Sequence, residues 1–242
     1  MLVSKMHVGL ITYQTGHLKT WTILLMLLSK SFKVSLFAFP FIKRENGEER
    51  ISDRPFQLID INIKDFCLNN KINYIEVPGW GEEDVKYLDN PNRDPSPDVY
   101  LVLIAKIIPK AFIKNRIIIN AHPGLLPDNR GLDAFKWAII NCWPIAVSLH
   151  IIDEVIDRGI ILHTVKVPIL PNDRLKDVAN RAYEIECYLQ SNFDYYLSNI
   201  CLNNVVSDEY PLSRRRISNE DDLKLDEIFF KNRNKLIELS KR

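Results

Sequence analysis

Residues 120–131 read NAHPGLLPDNRG, and they directly follow the apolar run III at 117–119. A strand that only fills a core has no use for an amide and an imidazole where it ends, so Asn120 and His122 indicate chemistry there. In an open parallel sheet, ligands bind beyond the carboxyl ends of the strands. The Pro-Gly and Leu-Leu-Pro steps that follow are expected to turn the chain away and leave a cleft open at this edge.

The first half of the chain alternates between apolar strands and helices. Predicted strands lie at 7–13, 33–39, 72–78, 99–105 and 116–120, and predicted helices at 18–30, 56–71 and 109–114. Strands that are apolar on both faces and separated by helices are typical of a parallel sheet covered on both sides. We therefore predict an α/β fold with a Rossmann-like parallel sheet and helices on both of its faces.

The second half has a different pattern. A helix is predicted at 133–141, strands at 145–153 and 159–169, a long helix at 172–202, and a short helix late in the charged tail. Residues 1–205 are predicted to form the catalytic domain. Residues 206–242 are predicted to be a C-terminal extension that packs on this core or at a dimer interface.

Composition excludes several classes of function. Lys and Arg number 32 and Asp and Glu number 31, a balance that does not favour nucleic-acid binding. The basic run at 214–216 is either a solvated surface or a phosphate contact. Lys30 and Lys33 interrupt the apolar stretch 21–42, so no membrane segment is predicted. The four cysteines have no metal-ligand spacing, and with no signal peptide they indicate free thiols in the cytoplasm.

Two segments together resemble the tetrahydrofolate-dependent formyltransferase family. They are NAHPGLLPDNRG and, at 138–162, AIINCWPIAVSLHIIDEVIDRGIIL. The family pattern is Asn-x-His-Pro-Ser-Leu-Leu-Pro, then Arg-Gly or Lys-Gly, a Gly-Val-Thr-like strand and an Asp-x-Gly loop. The resemblance covers roughly residues 99–169. Gly124 replaces the usual serine and Ala146-Val147-Ser148 replaces Gly-Val-Thr, but no reacting group is lost.

The resemblance implies that Asn120, His122 and Asp157 are catalytic. An amine would attack the formyl carbon of N10-formyltetrahydrofolate and create an oxyanion, which the N–H groups of Asn120 and His122 would stabilise. Asp157 would hold His122 in a useful protonation state and orient a proton-relaying water.

The resemblance also implies where the folate binds, without any metal. It places the folate against the loop after the fourth strand and against the acidic loop IIDEVIDRG at 151–159. The residues concerned are Lys106, Ile107, Ile108, Asp153, Glu154 and Val155. Apolar walls with backbone hydrogen bonds suit a flat pterin.

Length and tail resemble the branch of the family that formylates nucleotide-linked amino sugars for surface polysaccharide, such as a dTDP-4-amino-4,6-dideoxyhexose in O-antigen synthesis. Such proteins carry an aromatic residue, an Arg pair and acidic residues in the tail, similar to YPLSRRRISNEDDLKLDE at 210–227. Cations and aromatic faces suit a sugar nucleotide. The residues expected to bind it are His17, Lys19, Trp80, Tyr87, Arg93 and Arg130. We expect a homodimer.

Four alternatives differ in sequence features. The glycinamide ribonucleotide enzyme carries a Gly-rich phosphate loop after the first strand, where this chain has TYQTGHLKT at 12–20. The methionyl-tRNA enzyme has a further C-terminal domain, and formyltetrahydrofolate hydrolases have an N-terminal regulatory domain; neither is expected here. A non-catalytic binding protein would not need Asn120, His122 and Asp157 together. The sugar, its nucleotide and the formylated nitrogen stay open.

Overall fold

The computed structural model describes residues 6–41, 61–89, 95–200 and 211–241. Within them the strands are β1 His7–Tyr13, β2 Lys33–Phe39, β3 Asn73–Glu76, β4 Val99–Val102, β5 Ile118–His122, β6 Ala146–Ile151 and β7 Ile161–Lys166. The helices are α1 Leu18–Ser29, α2 Ile63–Asn69, α3 Lys110–Ile113, α4 Ala134–Ile140, α5 Leu175–Ser191, α6 Phe193–Ser198, α7 Asn219–Leu223 and α8 Leu225–Lys241, with a 3₁₀ helix at Glu82–Tyr87.

The strands form one sheet in the order β3-β2-β1-β4-β5-β6-β7. Strands β1 to β5 pair in parallel, and β7 pairs antiparallel with β6. The predicted α/β fold with a mostly parallel sheet is confirmed. Among the described residues there are two compact units, one with residues 6–41, 61–89 and 95–120 and the other with residues 121–200 and 211–241. The predicted domain boundary near residue 205 lies outside the described residues.

The core of the first unit is built around β1. Gly9 faces the ring of Tyr100 in β4, which is fully buried and donates its hydroxyl hydrogen to Leu88 O over 2.7 Å. Phe37 in β2 lies against the same ring, with centroids 5.5 Å apart. A glycine in β1 therefore lets two large rings fill the space above the strand.

In the second unit, the C-terminal helix packs on α4 and α5. Asn232 donates to Ile139 O over 3.2 Å, and Phe229 and Leu236 are buried. The Lys136 ammonium lies 2.6 Å from the Asp222 carboxylate, and both side chains are almost fully enclosed. Helix α8 has 17 residues, longer than the short helix that the tail sequence predicts.

Several further element boundaries differ from the sequence prediction; strand β4, for example, ends at Val102 instead of Ala105. The predicted helix 172–202 is interrupted at Asn192, which donates its side-chain amide to Tyr188 O and so competes with the helical backbone. Strand β5 runs on to His122 instead of stopping at Asn120. Both residues therefore belong to the strand itself.

We expect Gly9→Ala to destabilise the protein by about 1–3 kcal/mol, because overpacking forces buried rings to move. The added Cβ would lie 2.6 Å from Tyr100 Cδ1. Denaturant unfolding of Gly9→Ala, Tyr100→Leu and the double variant tests this cause. The double variant should lose less stability than the sum of the two single losses, since a smaller residue 100 makes room; strict additivity would contradict the steric explanation.

Candidate active site

Asn120 and His122 lie two residues apart in β5, so their side chains leave the same face of the strand. Asn120 is half-buried and pairs in register with Val102 of β4. His122 is 4% exposed, so its ring is enclosed by protein. The alternation of the strand thus keeps the predicted amide and imidazole on one side.

Both ring nitrogens of His122 face oxygen atoms. Nε2 lies 2.8 Å from Asn129 O, and Nδ1 lies 3.5 Å from Asp157 Oδ2. A carbonyl oxygen can only accept a hydrogen bond, so Nε2 carries a proton and donates it to Asn129 O. Nδ1 is the atom that faces the carboxylate. The predicted pairing of His122 with Asp157 is therefore present in the structure, while the ring N–H is already occupied by a backbone carbonyl.

The Asp157 carboxylate is held from several sides. Gly131 N donates to its Oδ2 over 2.9 Å, and the side chain is 16% exposed. Its backbone has a φ of 49°, in the left-handed region that Asp tolerates better than most residues. Gly159, two residues on, has no room for a side chain, since a Cβ would lie 1.7 Å from Ile151 O. The loop is therefore a tight turn that aims Asp157 into the protein.

A second buried histidine, which sequence reasoning missed, also faces Asp157. His150 in β6 is fully buried, and its Nε2 lies 3.8 Å from Asp157 Oδ1. Burial lowers the pKa of His150 to about 4, against the opposing effect of the Asp157 charge, with His122 lowering it further. The sequence feature that could have identified His150 is its position inside the apolar strand AVSLHI, seven residues before Asp157.

Ser148, where the family commonly has threonine, fastens the loop after β5. Its hydroxyl donates to Gly124 O over 2.8 Å and accepts from Leu126 N over 3.1 Å. Thr164 of β7 donates to the same hydroxyl over 3.0 Å. The substitution keeps the hydroxyl group on which these contacts depend.

Gly124, which replaces the usual serine, bears directly on His122. A Cβ at this position would lie 2.5 Å from Asn129 O and 2.7 Å from His122 Nε2. These are the two atoms of the hydrogen bond that holds the ring. In this chain, therefore, the absence of a side chain at 124 makes room for that bond.

The residues predicted to bind folate lie in the two compact units. In the first unit, Lys106 and Ile107 are exposed, whereas Ile108 is buried. In the second unit, Glu154 and Val155 are exposed, and Asp153 accepts from Val155 N over 2.8 Å. The exposed members of each set are accessible to a ligand.

His17 and Lys19, which were predicted to bind substrate, are both buried in the first unit. His17 Nε2 donates to Leu103 O over 3.0 Å, and its Nδ1 accepts from the Thr20 hydroxyl over 2.8 Å. Burial lowers the pKa of His17 to about 4, so the ring is neutral at neutral pH. His17 therefore offers hydrogen bonding rather than positive charge.

The remaining predicted substrate residues differ in environment. Trp80 stacks on Phe39 with centroids 3.7 Å apart, and Lys106 Nζ lies 5.6 Å from the Trp80 ring. Tyr87 is half-buried and lies beside Lys86. Arg93 lies outside the described residues. Of this group, the structure brings Trp80 and Lys106 together.

Arg130 is buried, and its guanidinium contacts backbone carbonyls. Nε and Nη2 donate to Ile156 O over 2.9 and 2.5 Å, and Nη1 donates to Pro211 O over 3.0 Å. It therefore joins the residue before Asp157 to the C-terminal segment, residues 211–217.

The basic run at 214–216 is docked on the protein. The Arg214 guanidinium lies 4.4 Å from the Trp143 ring and 5.3 Å from the Trp137 ring. Arg216 lies 3.5 Å from Asp133, and Trp137 Nε1 donates to Arg215 O over 2.7 Å. These contacts within the protein favour neither of the two interpretations that the sequence left open.

The described residues lack two further features. No group of three or more His, Cys, Asp or Glu side chains there is arranged to hold a metal ion. None of the helices described is both long enough and apolar enough to cross a membrane.

Residues 87–190 match the family model described as formyl transferase. This span contains Asn120, His122 and Asp157 with their surrounding loops. The family resemblance that the motif predicts is therefore confirmed over these residues.

Relatives with known activity come from two branches of that family. A phosphoribosylglycinamide formyltransferase of Haemophilus influenzae is 37% identical over 70 residues, 28% of this chain and 33% of that protein. A methionyl-tRNA formyltransferase of Buchnera aphidicola is 29% identical over 180 residues, 72% of this chain and 56% of that protein. The chain thus spans about a third to about half of the length of these curated relatives.

Solved structures share the fold. A sugar N-formyltransferase from a Shewanella species matches with a TM-score of 0.57 and 20% identity, covering 91% of this chain and 86% of that chain. A glycinamide ribonucleotide transformylase 1 from Symbiobacterium toebii matches with a TM-score of 0.58 and 15% identity, covering 83% of this chain and 92% of that chain. A methionyl-tRNA formyltransferase from Clostridium thermocellum matches with a TM-score of 0.51 and 16% identity, covering 93% of this chain and 81% of that chain. At such identities the likeness is one of fold, and it does not separate the branches.

We expect stability to fall as pH drops from 6.5 towards 4. The unfolded chain takes up protons at His17 and His150 that the folded protein excludes, since both pKa values are lowered from 6.5 to about 4. Each histidine contributes a slope of at most about 1.4 kcal/mol per pH unit. The unfolding free energy is measured against pH. The His150→Gln variant should lose the share of the slope that His150 contributes, and the His17→Gln variant the share of His17, which is about half of their combined slope in each case. Unchanged slopes in both variants would contradict the buried neutral rings.

We expect Gly124→Ala to break the hydrogen bond from His122 to Asn129, because the new methyl group would occupy its space. The ¹⁵N spectrum of histidine side chains should show a change at His122 Nε2. Gly79→Ala is the control, since its Cβ would meet the side-chain oxygen of Asp84 at 3.0 Å in the first unit. A His122 signal identical to that of the unchanged protein would contradict the steric argument.

Proposed function

We propose that the chain transfers the formyl group of N10-formyltetrahydrofolate to the amino group of a nucleotide-linked amino sugar. The observation that carries this proposal is the buried His122, with Nδ1 3.5 Å from Asp157 and Nε2 protonated, at the end of β5 in a formyl transferase segment. A buried imidazole next to a carboxylate suits general acid–base chemistry. Asn120, on the same strand face, would add an amide donor.

The proposed reaction begins when the neutral amine of the acceptor attacks the formyl carbon. A C–N bond forms, the carbonyl electrons move to oxygen, and an oxyanion develops. Asn120 and the Nε2–H of His122 donate to that oxygen, which requires Nε2 to leave Asn129 O. The bond to N10 then breaks; N10 departs with a proton, and the amine loses one. Asp157 orients the water through which the proton lost by the amine passes to N10.

Exposed members of the two predicted sets offer contacts of the kind that a folate needs, each set within its own unit. Ile107 and Val155 offer apolar contacts for the flat pterin, and Lys106 offers a cation for its acidic tail. The reaction needs no metal, since the donors named above carry the developing charge.

The first turn supports a sugar acceptor over glycinamide ribonucleotide. Four residues separate β1 from α1, and the last of them, His17, is buried and bonded to Leu103 O. A Cβ at Gly16 would lie 2.7 Å from Trp21 Nε1, so this glycine serves packing. Such a turn does not wrap a phosphate with backbone N–H groups as a Gly-rich loop does.

We also propose a homodimer in a reducing compartment such as the cytoplasm, with the sugar product serving surface polysaccharide such as O-antigen. Tyr188 and Tyr195 are 60% and 64% exposed on α5 and α6, and large exposed aromatic side chains suit an interface. Cys67, Cys142 and Cys187 are free thiols.

Mass spectrometry tests the reaction and the acceptor together. The protein is incubated with N10-formyltetrahydrofolate and a panel of dTDP- and UDP-linked amino sugars, with glycinamide ribonucleotide and methionyl-tRNA as competing acceptors. A formyl adduct on one sugar supports the proposal. An adduct on either competitor overturns the choice of acceptor, and steady formate release without any acceptor indicates a hydrolase instead.

We expect His122→Ala and Asp157→Asn each to lower the transfer rate by about 100-fold or more, because the groups act as one unit. His163→Ala is the matched control, since His163 stacks on Tyr196 with centroids 4.5 Å apart and lies on the edge strand β7. Single-turnover rates and thermal unfolding are measured for all three. Wild-type rates in a folded His122→Ala variant would remove His122 from the mechanism.

A further inference from the structure

We propose that Arg130 is a positioning residue, which fixes the backbone turn that carries Asp157 and fastens it to the C-terminal segment. This inference deepens the proposed function and rests on it for its catalytic consequence. The anchoring itself is a property of the fold that can be measured without substrate.

The Arg130 guanidinium binds the backbone carbonyl of Ile156. Nε and Nη2 both donate to Ile156 O, over 2.9 and 2.5 Å. Arg130 is 6% exposed, so water does not replace these hydrogen bonds. A guanidinium with two donors on one carbonyl fixes both the position and the direction of that oxygen.

The contact with Ile156 O bears on the backbone conformation of Asp157. The Ile156 carbonyl belongs to the peptide group that precedes Asp157, so its direction is tied to the φ of Asp157. That φ is 49°, a conformation that costs a non-glycine residue of order 1 kcal/mol or more. Arg130 therefore supplies hydrogen bonds to a turn that the chain alone disfavours. With the turn fixed, the carboxylate stays near His122 Nδ1.

The neighbouring residue acts on the same carboxylate. Gly131 N donates to Asp157 Oδ2 over 2.9 Å. Arg130 and Gly131 therefore hold the Asp157 turn at two points, one on its backbone and one on its side chain. Because these residues are adjacent, a displacement of Arg130 also displaces the Gly131 amide.

The C-terminal segment holds this pair in place. Arg214 N donates to Arg130 O over 2.9 Å, and Leu132 N donates to Arg214 O over 3.0 Å. The two segments meet in a single parallel β-bridge between Gly131 and Arg214, where a Cβ on Gly131 would lie 2.3 Å from Arg214 O. Pro211 O accepts from Arg130 Nη1 over 3.0 Å. The segment thus lies against the residues that hold Asp157, and glycine is needed at 131 for that approach.

This role differs from the one that the sequence suggested for Arg130, a cation for the diphosphate of the substrate. Three described hydrogen bonds direct its Nε, Nη1 and Nη2 to backbone carbonyls. The two roles predict different kinetics. A substrate contact acts on KM of the acceptor, whereas a fixed Asp157 acts on kcat.

The test compares Arg130→Lys with Arg181→Lys in the full chain. Lysine keeps the charge but cannot reproduce the fork of donors. Arg181 is a matched control in the same unit, because it donates to Pro168 O over 2.5 Å and to Asp173 over 2.7 Å, away from Asp157. Hydrogen exchange at the Gly131 amide, kcat, KM of the acceptor and thermal unfolding are measured for each.

In Arg130→Lys we expect Gly131 to lose at least about tenfold in protection and kcat to fall by about tenfold or more, with KM within twofold. Arg181→Lys should leave Gly131 protection and kcat unchanged. A raised KM with unchanged kcat and protection would overturn the proposal in favour of substrate binding. Equal effects of the two variants would overturn it in favour of general stabilisation.

The exchange measurement separates this proposal from the proposed function. If protection falls in Arg130→Lys alone but the unchanged protein transfers no formyl group to any acceptor, the anchor stands and the proposed function fails. If transfer occurs and Gly131 protection is the same in every variant, the proposed function stands and the anchor fails.

Discussion

The arrangement of the second unit depends on one constraint, which is that the carboxylate of Asp157 is held next to a buried imidazole. A carboxylate that lies 16% exposed is costly unless donors satisfy it. Gly131 N supplies one donor at 2.9 Å, and His122 and His150 face its two oxygens. Residues from the end of β5, from the loop after it and from β6 therefore all contact the one carboxylate of Asp157 in the acidic loop.

Glycine positions make this close arrangement sterically feasible. A Cβ at Gly131 would overlap the C-terminal segment. A Cβ at Gly159 would overlap the backbone of Ile151, and a Cβ at Gly124 would overlap the two atoms of the His122 hydrogen bond. Each of these three glycines makes room for one contact that lies close to Asp157 or His122. The Pro-Gly and Arg-Gly steps of the motif are thus packing requirements, since neither glycine leaves room for a Cβ. Arg130 has two roles, because its side chain is packed in the interior and its hydrogen bonds hold the turn that carries Asp157.

Much of the fold could be predicted from local pattern, and the physical reason is clear in β1 and β2. Both are mainly apolar strands whose ends coincide with the predicted 7–13 and 33–39, since parallel strands buried on two faces are rich in hydrophobic residues along their length. The motif likewise predicted the proximity of His122 and Asp157. Long-range contacts could not be predicted in this way. No periodicity indicates that Arg130 binds Ile156 O, or that Arg214 lies over Trp137 and Trp143, because those partners are up to about 80 residues away in sequence.

The most direct measurement is the ¹⁵N spectrum of histidine side chains as the protein is titrated with 5-formyltetrahydrofolate, an unreactive isomer of the proposed donor. If His122 and Asp157 form the site of formyl transfer, the His122 signals shift saturably. His7, at the start of β1 and bonded to Pro95 O and Ser35, should not respond. An Asp157→Asn variant should bind the folate with an altered His122 response. A spectrum in which His122 stays unchanged at saturating folate, or in which all five histidines shift alike, would contradict the account.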